Sequence, residues 1–403
     1  MGPGTVARCS RCGTGLRHTV RNSIDKSLAL NITSLALFAI AATTTLLTVS
    51  KAGMVHAADL LAGPEGLQSH GLGELALVVL ITTMIAPLLK LLGSTYVLAG
   101  LGMNEPHSSL RHVFVWVERL RPWSMIEVYL LGVFVAFVKL GDLVHLDTGP
   151  ALYALGALTF TMIAADQVLD THEVWERLDP RRDRGQNVVA PVLQPLPSGP
   201  TRMVLCHACR LVSMAPVEGH CDCPRCATAL HAREPDSVNR TWALVLAATV
   251  LYIPANLYPV LTVVQLGSGS PSTIMGGVTE LFAEGMYPLA GLVFFASVAV
   301  PVLKLLGLMG LLLCIQTHRT SRLRDRTRLY WIVNFVGRWS MIDIFMESLL
   351  GALVQFGSAV TIDPGFGAVA FAGVVIITMF AAEGFDPRLM WDAASVRLQE
   401  NTA

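Results

Sequence analysis

Four cysteines in the middle of the chain have the spacing of a metal site. Cys206-His-Ala-Cys209 and Cys223-Pro-Arg-Cys226 are two C-x-x-C pairs with 13 residues between them. Four thiolates in two such pairs suit tetrahedral zinc, and a reducing compartment favours a metal over disulfides. Because four protein ligands leave no position open for water, the predicted zinc is structural and not catalytic.

A shorter cysteine pattern lies near the N-terminus. Cys9-Ser-Arg-Cys12 matches Cys223-Pro-Arg-Cys226, but only eight residues precede Cys9, too few for another pair and its spacer. Two thiolates do not close a zinc site, although His18 could add a third ligand. Cys9 and Cys12 are therefore weaker metal candidates, and we expect an incomplete zinc ribbon at this end.

Polar residues inside apolar runs form the second candidate site. Lys90 and Lys304 each follow a hydroxyl by two helical turns, so that ammonium and hydroxyl share one face. Glu127 and Asp343 begin the next apolar run in each half and are the expected counter-ions; Asp166 and Glu383 fall near the same depth. The predicted set is Ser297, Lys304, Asp343 and Thr378, with the equivalents Thr83, Lys90, Glu127 and Thr161.

Two interpretations of this polar set stay open at the level of sequence. A lysine at the membrane centre costs about 2.5–3.5 kcal/mol on insertion scales, so a buried network that moves protons or gates a substrate path is one reading. The lysines could equally snorkel to the interface while the acids cap helix starts.

The elements that must position these residues are membrane helices. Of the 403 residues 53% are hydrophobic and 14% charged, against about 25% charged in soluble domains. Apolar runs of roughly 20 residues match the hydrocarbon thickness. The sequence predicts eight spans: 28–50, 75–98, 125–143, 151–168, 241–264, 289–315, 341–355 and 366–382.

Charge in the loops predicts the orientation. Lys and Arg concentrate before the first span and between the sixth and seventh, while 144–150, 265–287 and 357–366 contain neither. By the positive-inside rule both termini and the central region are predicted to be cytoplasmic. The segments 106–123 and 319–339 mix Arg with apolar residues, so they are either amphipathic interfacial helices or simply basic loops.

Nearly the same sequence occurs twice. Residues 86–93, APLLKLLG, return as VPVLKLLG at 300–307, and Trp123-Ser-Met-Ile-Glu127 returns as Trp339-Ser-Met-Ile-Asp343. The two strings return after 214 and 216 residues, so only small insertions distinguish the two copies. Four spans in each copy would make the repeat parallel, and Pro87 and Pro301 should kink their helices.

The motif set resembles the paraquat-inducible protein A family over nearly the whole chain, and in its length and two-module layout the LetA-like branch. The resemblance rests on P-x-L-K-L-L-G, W-S-M-I-[DE], Phe385-Asp-Pro-Arg-Leu-Met-Trp391 and the zinc ribbon. It implies an inner-membrane partner of a periplasmic MCE-domain protein in lipid traffic, and a tetraspanin-like bundle. It also makes the second module's polar set the likelier functional one.

The predicted fold is an all-α integral membrane protein with two tandem parallel four-helix modules. The expected divisions are an incomplete ribbon at 1–26, a membrane module at 27–178, a linker at 179–201, a zinc ribbon at 202–234, a second module at 235–393 and a tail at 394–403. Each ribbon would be cytoplasmic and would precede its module.

The leading functional hypothesis is a subunit that loads or unloads lipid at a periplasmic tunnel, with protons as one conceivable energy source because the chain has no P-loop. The alternative is a scaffold that anchors the MCE partner and recruits a cytoplasmic protein through its ribbon. We expect no enzymatic activity, since the sequence has no G-x-S-x-G motif and the zinc site is closed, and no nucleic-acid partner.

Overall fold

The computed structural model describes most of the chain. Its described residues are 5–8, 15–18, 20–51, 54–103, 109–141, 145–179, 201–216, 221–231, 233–265, 268–317, 322–353 and 360–393. Cys9 and Cys12, most of the expected linker and the C-terminal tail lie outside them, so the predictions made for those segments stay predictions.

The first half alternates long helices with short strands. Its elements are β1 Val6–Arg8, β2 Gly15–His18, α1 Ser23–Thr43, β3 Leu47–Lys51, β4 Met54–Ala58, α2 Ala62–Ser69, α3 Gly73–Leu80, α4 Ala86–Gly100, α5 Ser109–Leu120, α6 Ile126–Gly141, β5 His145–Thr148, α7 Pro150–Val168 and α8 Thr171–Arg177.

The second half opens with four short strands and then repeats the same order of elements. They are β6 Thr201–Leu205, β7 Val212–Pro216, β8 Cys221–Asp222, β9 Ala229–Leu230, α9 Ser237–Leu257, β10 Leu261–Gln265, β11 Ser268–Ser272, α10 Ile274–Ala283, α11 Tyr287–Phe294, α12 Val300–Gln316, α13 Leu323–Gly337, α14 Ile342–Leu353, β12 Val360–Pro364 and α15 Phe366–Gly384.

A π-helical turn interrupts the second long helix of each half. Ile81–Ile85 joins α3 to α4, and Phe295–Ala299 joins α11 to α12. Pro87 and Pro301 follow in the next turn. Proline has no N–H to donate and its ring displaces the carbonyl one turn earlier, while a π turn widens the helix there. Both halves therefore have a π-helical turn just before the proline, and the kink predicted at Pro87 and Pro301 stays a prediction.

Each half carries a small antiparallel sheet that the prediction of an all-α fold missed. The strand orders are β4-β3-β5 and β11-β10-β12, and the registers correspond, with Val49 opposite His56 and Val263 opposite Ser270. Each of these strands has five residues or fewer. The strands β3 and β10 fall at the ends of the spans predicted at 28–50 and 241–264, whereas β5, β11 and β12 lie in the loops without Lys or Arg. The protein is mainly helical, as predicted, and carries these small sheets in addition.

Seven helices among the described residues are long and apolar enough to cross a membrane. They are Ser23–Thr43, Gly73–Gly100, Ser109–Gly141, Pro150–Val168, Ser237–Leu257, Tyr287–Gln316 and Phe366–Gly384. The chain is thus a multi-pass membrane protein, and the expected count of eight is not confirmed.

The span predicted at 341–355 is the one missing from that set. Within the described residues its helix α14 has 12 residues, roughly 18 Å at 1.5 Å per residue. Residues 354–359, which follow it, lie outside the described part of the chain, so the span at 341–355 stays a prediction. Every residue of α14 except Ala352 is buried. It packs against α2 and α6, where a Cβ on Gly132 would come within 3.0 Å of the Phe345 Cβ. Its described residues are therefore buried by other helices of the protein.

The backbone contacts divide the chain into two compact units. The first comprises 1–43, 82–124 and 152–232, and the second comprises 44–81, 125–151 and 233–403. In the first unit one buried cluster joins Val97, Phe114 and Trp175 to Cys206 and Leu211. The segment of the central cysteines therefore packs with α4, α5 and α8, although it precedes α9 in sequence.

Candidate functional site

The four central cysteines come together in two matching turns. The turn Cys206–Cys209 connects β6 to β7, and Cys223–Cys226 connects β8 to β9. In each turn the residue after the second cysteine has a positive φ, 54° at Arg210 and 58° at Ala227. Its N–H donates to the carbonyl of the first cysteine, at 3.0 and 2.8 Å respectively, which points both thiols inward.

The geometry and chemistry of the cluster fit a tetrahedral metal. All four Sγ atoms lie within 4.8 Å of one another, with Cys206 to Cys226 at 3.5 Å and Cys209 to Cys223 at 3.4 Å. Four sulfurs around zinc at about 2.3 Å would be about 3.8 Å apart. Hydrogen bonds from Cys209 and then Cys223 lower the pKa of Cys206 to about 7, so a thiolate forms readily there.

A buried ion pair fixes this ribbon to the end of α8. Arg225 Nε lies 2.7 Å from Asp179 Oδ2, and their side chains are 6% and 0% exposed. Breaking one partner of such a pair leaves an uncompensated buried charge. The ribbon is thus anchored to the first unit by an ion pair as well as by the apolar cluster.

In the first half the structure assigns Lys90 a different partner from the expected one. Its Nζ lies 2.8 Å from Asp166 Oδ2 on α7, and Arg121 Nε lies 3.5 Å from the same oxygen. The counter-ion expected from sequence was Glu127, which lies half-buried in the first turn of α6 and in the other unit. Asp166 lies in the same unit as Lys90, and the two residues are 76 positions apart, a separation at which no local pattern indicates the pairing.

The other members of the first set make local bonds. Thr161 Oγ1 donates to the Leu158 carbonyl and lies 2.9 Å from Ser34 Oγ on α1. Thr83 is fully buried inside the π-helical turn. The predicted residues of the first half thus occur in separate contacts, with the ion pair as the strongest.

In the second half Lys304 is buried without such a pair. It is 3% exposed, and its Nζ has no hydrogen-bond partner among the described residues. Glu383, at the position that matches Asp166, is exposed. At the position of Arg121 stands Gly337, whose added Cβ would come within 2.6 Å of Lys304 Nζ. Because glycine has no side chain, the ammonium of Lys304 has room beside Gly337.

Ser297 and Asp343 line one cavity of the second unit, about 510 Å³ in volume including its open mouth. Both are buried, and neither carboxylate oxygen of Asp343 has a hydrogen-bond partner in the described part of the chain. Ser297 Oγ donates to the Val293 carbonyl. Thr378 is also buried and donates to the carbonyl of Val375. The structure therefore places Ser297 with Asp343, and it gives Lys304 and Thr378 separate surroundings.

Sequence reasoning missed two charged residues of this cavity. Glu347 is 6% exposed and lies one helical turn after Asp343. Lys139, in the last turn of α6, lines the same space. A signal existed for Glu347, because the matching position of the first half is Leu131 and a carboxylate in an apolar helix is costly.

Known proteins match the chain over most of its length. The family model described as "Paraquat-inducible protein A" matches residues 24–179 and 238–395. The chain is similar to "Intermembrane transport protein PqiA" of Escherichia coli K12, with 33% identity over 96% of this chain and 91% of the relative. It is also similar to "Lipophilic envelope-spanning tunnel protein A" of the same organism, with 32% identity over 96% and 86%.

A more distant relative is the "Probable intermembrane transport protein" of Haemophilus influenzae, 27% identical over 96% of this chain and 90% of that protein. No solved structure matches the chain. The expected likeness to tetraspanins is therefore without structural support and stays a prediction.

Proposed function

This chain belongs to the paraquat-inducible protein A family, and from that premise we propose that it is an inner-membrane subunit of an intermembrane lipid transport system. In this proposal it works with a periplasmic MCE-domain tunnel protein and loads or unloads lipid there. The names of its relatives support intermembrane transport, and they describe transport proteins rather than enzymes.

The observation that carries the proposal is the cavity of the second unit. Apolar side chains such as Leu289, Val293 and Phe371 form much of its wall, and Ser297 and Asp343 add buried polar groups. Ligand sites commonly combine an apolar wall with a few polar groups. Such a cavity, within a membrane protein, suits an amphiphile better than a water-soluble substrate.

The two halves differ in the surroundings of their lysines, which supports different roles for the two lysines. The ammonium of Lys90 is held by Asp166, which favours a structural role. Lys304 has no such partner in the described residues, so its charge state can change without the loss of an ion pair. We therefore assign proton coupling to the second set, Ser297, Lys304, Asp343 and Thr378.

The remaining parts of the proposal concern placement. Both termini and the ribbon lie in the cytoplasm, because Arg and Lys concentrate on that side of the spans. The sheets β4-β3-β5 and β11-β10-β12 then lie at the periplasmic end, where an MCE-domain partner would bind. A structural zinc holds the ribbon through Cys206, Cys209, Cys223 and Cys226.

The decisive experiment compares the two lysines. The full chain is reconstituted in vesicles with radiolabelled phospholipid and an imposed pH gradient, and label is counted on the purified MCE-domain protein. Lys304→Ala should reduce transfer to background while membrane insertion and folding stay intact. Lys90→Ala is the matched control for loss of a membrane lysine, and it should lower thermal stability more than transfer.

The same assay distinguishes the scaffold alternative. A scaffold that only anchors its partner would keep full activity with Lys304→Ala. It would instead lose the complex with Cys206→Ser, which disrupts the ribbon. Normal, gradient-dependent transfer by Lys304→Ala would overturn proton coupling through the second set.

A further inference from the structure

The cavity of the second unit is lined by charged side chains of both signs. Asp343 and Glu347 lie one turn apart on α14, about 6 Å along the helix axis at 1.5 Å per residue, and both line the cavity. Lys139 lines it from the last turn of α6, the turn nearest β5. Two carboxylates and one ammonium leave an excess of negative charge.

The buried carboxylate of Asp343 lacks a hydrogen-bond donor among the described residues. Both oxygens of Asp343 are inaccessible and have no hydrogen-bond partner in the described residues. A buried carboxylate without donors is costly, and a charged donor compensates best. A primary ammonium carries three N–H donors in a compact group, whereas a quaternary ammonium carries none. The chemistry therefore favours a primary amine as the occupant.

The apolar walls restrict the occupant further. Leu289, Val293 and Phe371 would contact hydrocarbon or a glycerol backbone, and they offer nothing to a hydrated metal ion. Large apolar side chains beside the cavity are exposed: Met275, Phe282 and Tyr287 on α10 and α11. In a membrane protein that surface faces lipid, so acyl chains can stay in the bilayer while the headgroup enters.

We propose that this cavity binds an aminophospholipid of the phosphatidylethanolamine type, with its ammonium between Asp343 and Glu347 and its phosphate near Lys139. The proposal rests on the proposed function, because it names the lipid class that the transport path would take. The first half has Leu131 where the second has Glu347. The second carboxylate, and with it the preference for an amine, is thus a property of one half only.

The test uses the purified full chain in nanodiscs that contain photoactivatable phosphatidylethanolamine, phosphatidylcholine or phosphatidylglycerol at equal fractions. Crosslinks to α10 and α11 are mapped by mass spectrometry. Phosphatidylethanolamine should label this site about tenfold more than either competitor, as expected when hydrogen bonds to a buried charge are lost. Labelling should fall stepwise through the N-methyl and N,N-dimethyl lipids.

Variants locate the preference. Glu347→Gln keeps the shape of the side chain and should lower phosphatidylethanolamine labelling about tenfold, and Glu347→Leu, the residue of the first half, should do the same. Glu280→Gln is the matched control, because Glu280 is an exposed carboxylate on α10 that does not line the cavity. Its labelling should equal that of the unmodified chain.

Equal labelling by the three lipids would overturn the proposal, and this result needs no variant. Loss of labelling in millimolar calcium at constant ionic strength would also overturn it, since the carboxylates would then form a metal site. Failure of the headgroup preference together with normal lipid transfer would leave the transport function standing. Strong preference without any transfer would contradict the transport function and keep the binding site.

Discussion

At the scale of single residues, the two halves differ at positions that surround one lysine. Asp166 and Arg121 surround Lys90 in the first half, and the matching positions of the second half hold an exposed Glu383 and Gly337. Lys304 is therefore buried, and its Nζ has no hydrogen-bond partner among the described residues. A buried charge of this kind costs free energy, and Lys304 at 3% exposure lies inside the protein rather than at its surface, which favours a functional role over simple snorkelling.

Gly337→Ala tests that role without touching the lysine. The new Cβ would come within 2.6 Å of Lys304 Nζ and 2.8 Å of its Cε, so the ammonium must move. Alanine is a better helix residue than glycine by about 0.5–1 kcal/mol, so the melting temperature should hold or rise. Lipid transfer should nevertheless fall at least several-fold.

The control for this substitution is Gly310→Ala on α12, where an added Cβ meets nothing within 4 Å. It should leave lipid transfer unchanged. If Gly337→Ala transfers lipid as well as Gly310→Ala does, the position of the Lys304 ammonium is not important for transport.

At the scale of elements, a serine at the start of the first helix ties each half together. Ser23 Oγ donates to the Val168 carbonyl and accepts from Asp170 N–H, and Ser237 makes the matching bonds to the Gly384 carbonyl and Asp386 N–H. The bonds join the first helix of each half to the end of its last one. The bonded residues are about 145 positions apart in sequence, so no local sequence pattern indicates these bonds.

Ser237→Ala should lower the stability of the protein. It leaves the Gly384 carbonyl and the Asp386 N–H without their partner, and buried unpaired groups cost about 1–3 kcal/mol each at most. We expect a lower melting temperature in detergent, measured by tryptophan fluorescence. Thr279→Ala removes an exposed hydroxyl that bonds only within α10, and a shift no larger than that of this control would contradict the role of Ser237.

Local patterns predicted part of this structure well. The four zinc-ligand candidates were found because C-x-x-C spacing fixes each turn, and the lysines because a charge stands out in an apolar run. Asp166 as the partner of Lys90 depends on packing between α4 and α7, which no spacing reveals. For α14 the sequence does not distinguish burial in protein from burial in lipid, because both environments select the same apolar residues.

At the scale of the whole molecule, sequence order and packing disagree about the ribbon. It precedes α9 in the chain, and its cysteines nevertheless share a buried cluster with Phe114 and Trp175 of the first unit. The Arg225–Asp179 pair reinforces that attachment. The second copy of the repeat therefore follows a ribbon that is packed with the first unit, and duplication of the sequence did not produce two independent domains.

Removal of the metal should detach the ribbon and leave the membrane helices in place. Without the metal, no metal–sulfur bonds hold the four cysteines together. Structural zinc contributes much of the folding free energy of such small domains. The purified chain should contain at least one zinc per molecule. A chelator should expose Arg225, which is 5% exposed in the intact ribbon, and trypsin should then cut after it.

Cys206→Ser should allow the same cut without a chelator. Cys314→Ser is the matched control, since Cys314 lies on α12, outside the four-cysteine cluster, and it should keep Arg225 protected. Protection of Arg225 in zinc-free protein would show that the ion pair and the apolar cluster hold the ribbon without metal. In that case the four cysteines would not serve to attach the ribbon through a metal. A cut confined to the ribbon would confirm that the metal keeps the ribbon attached to the first unit.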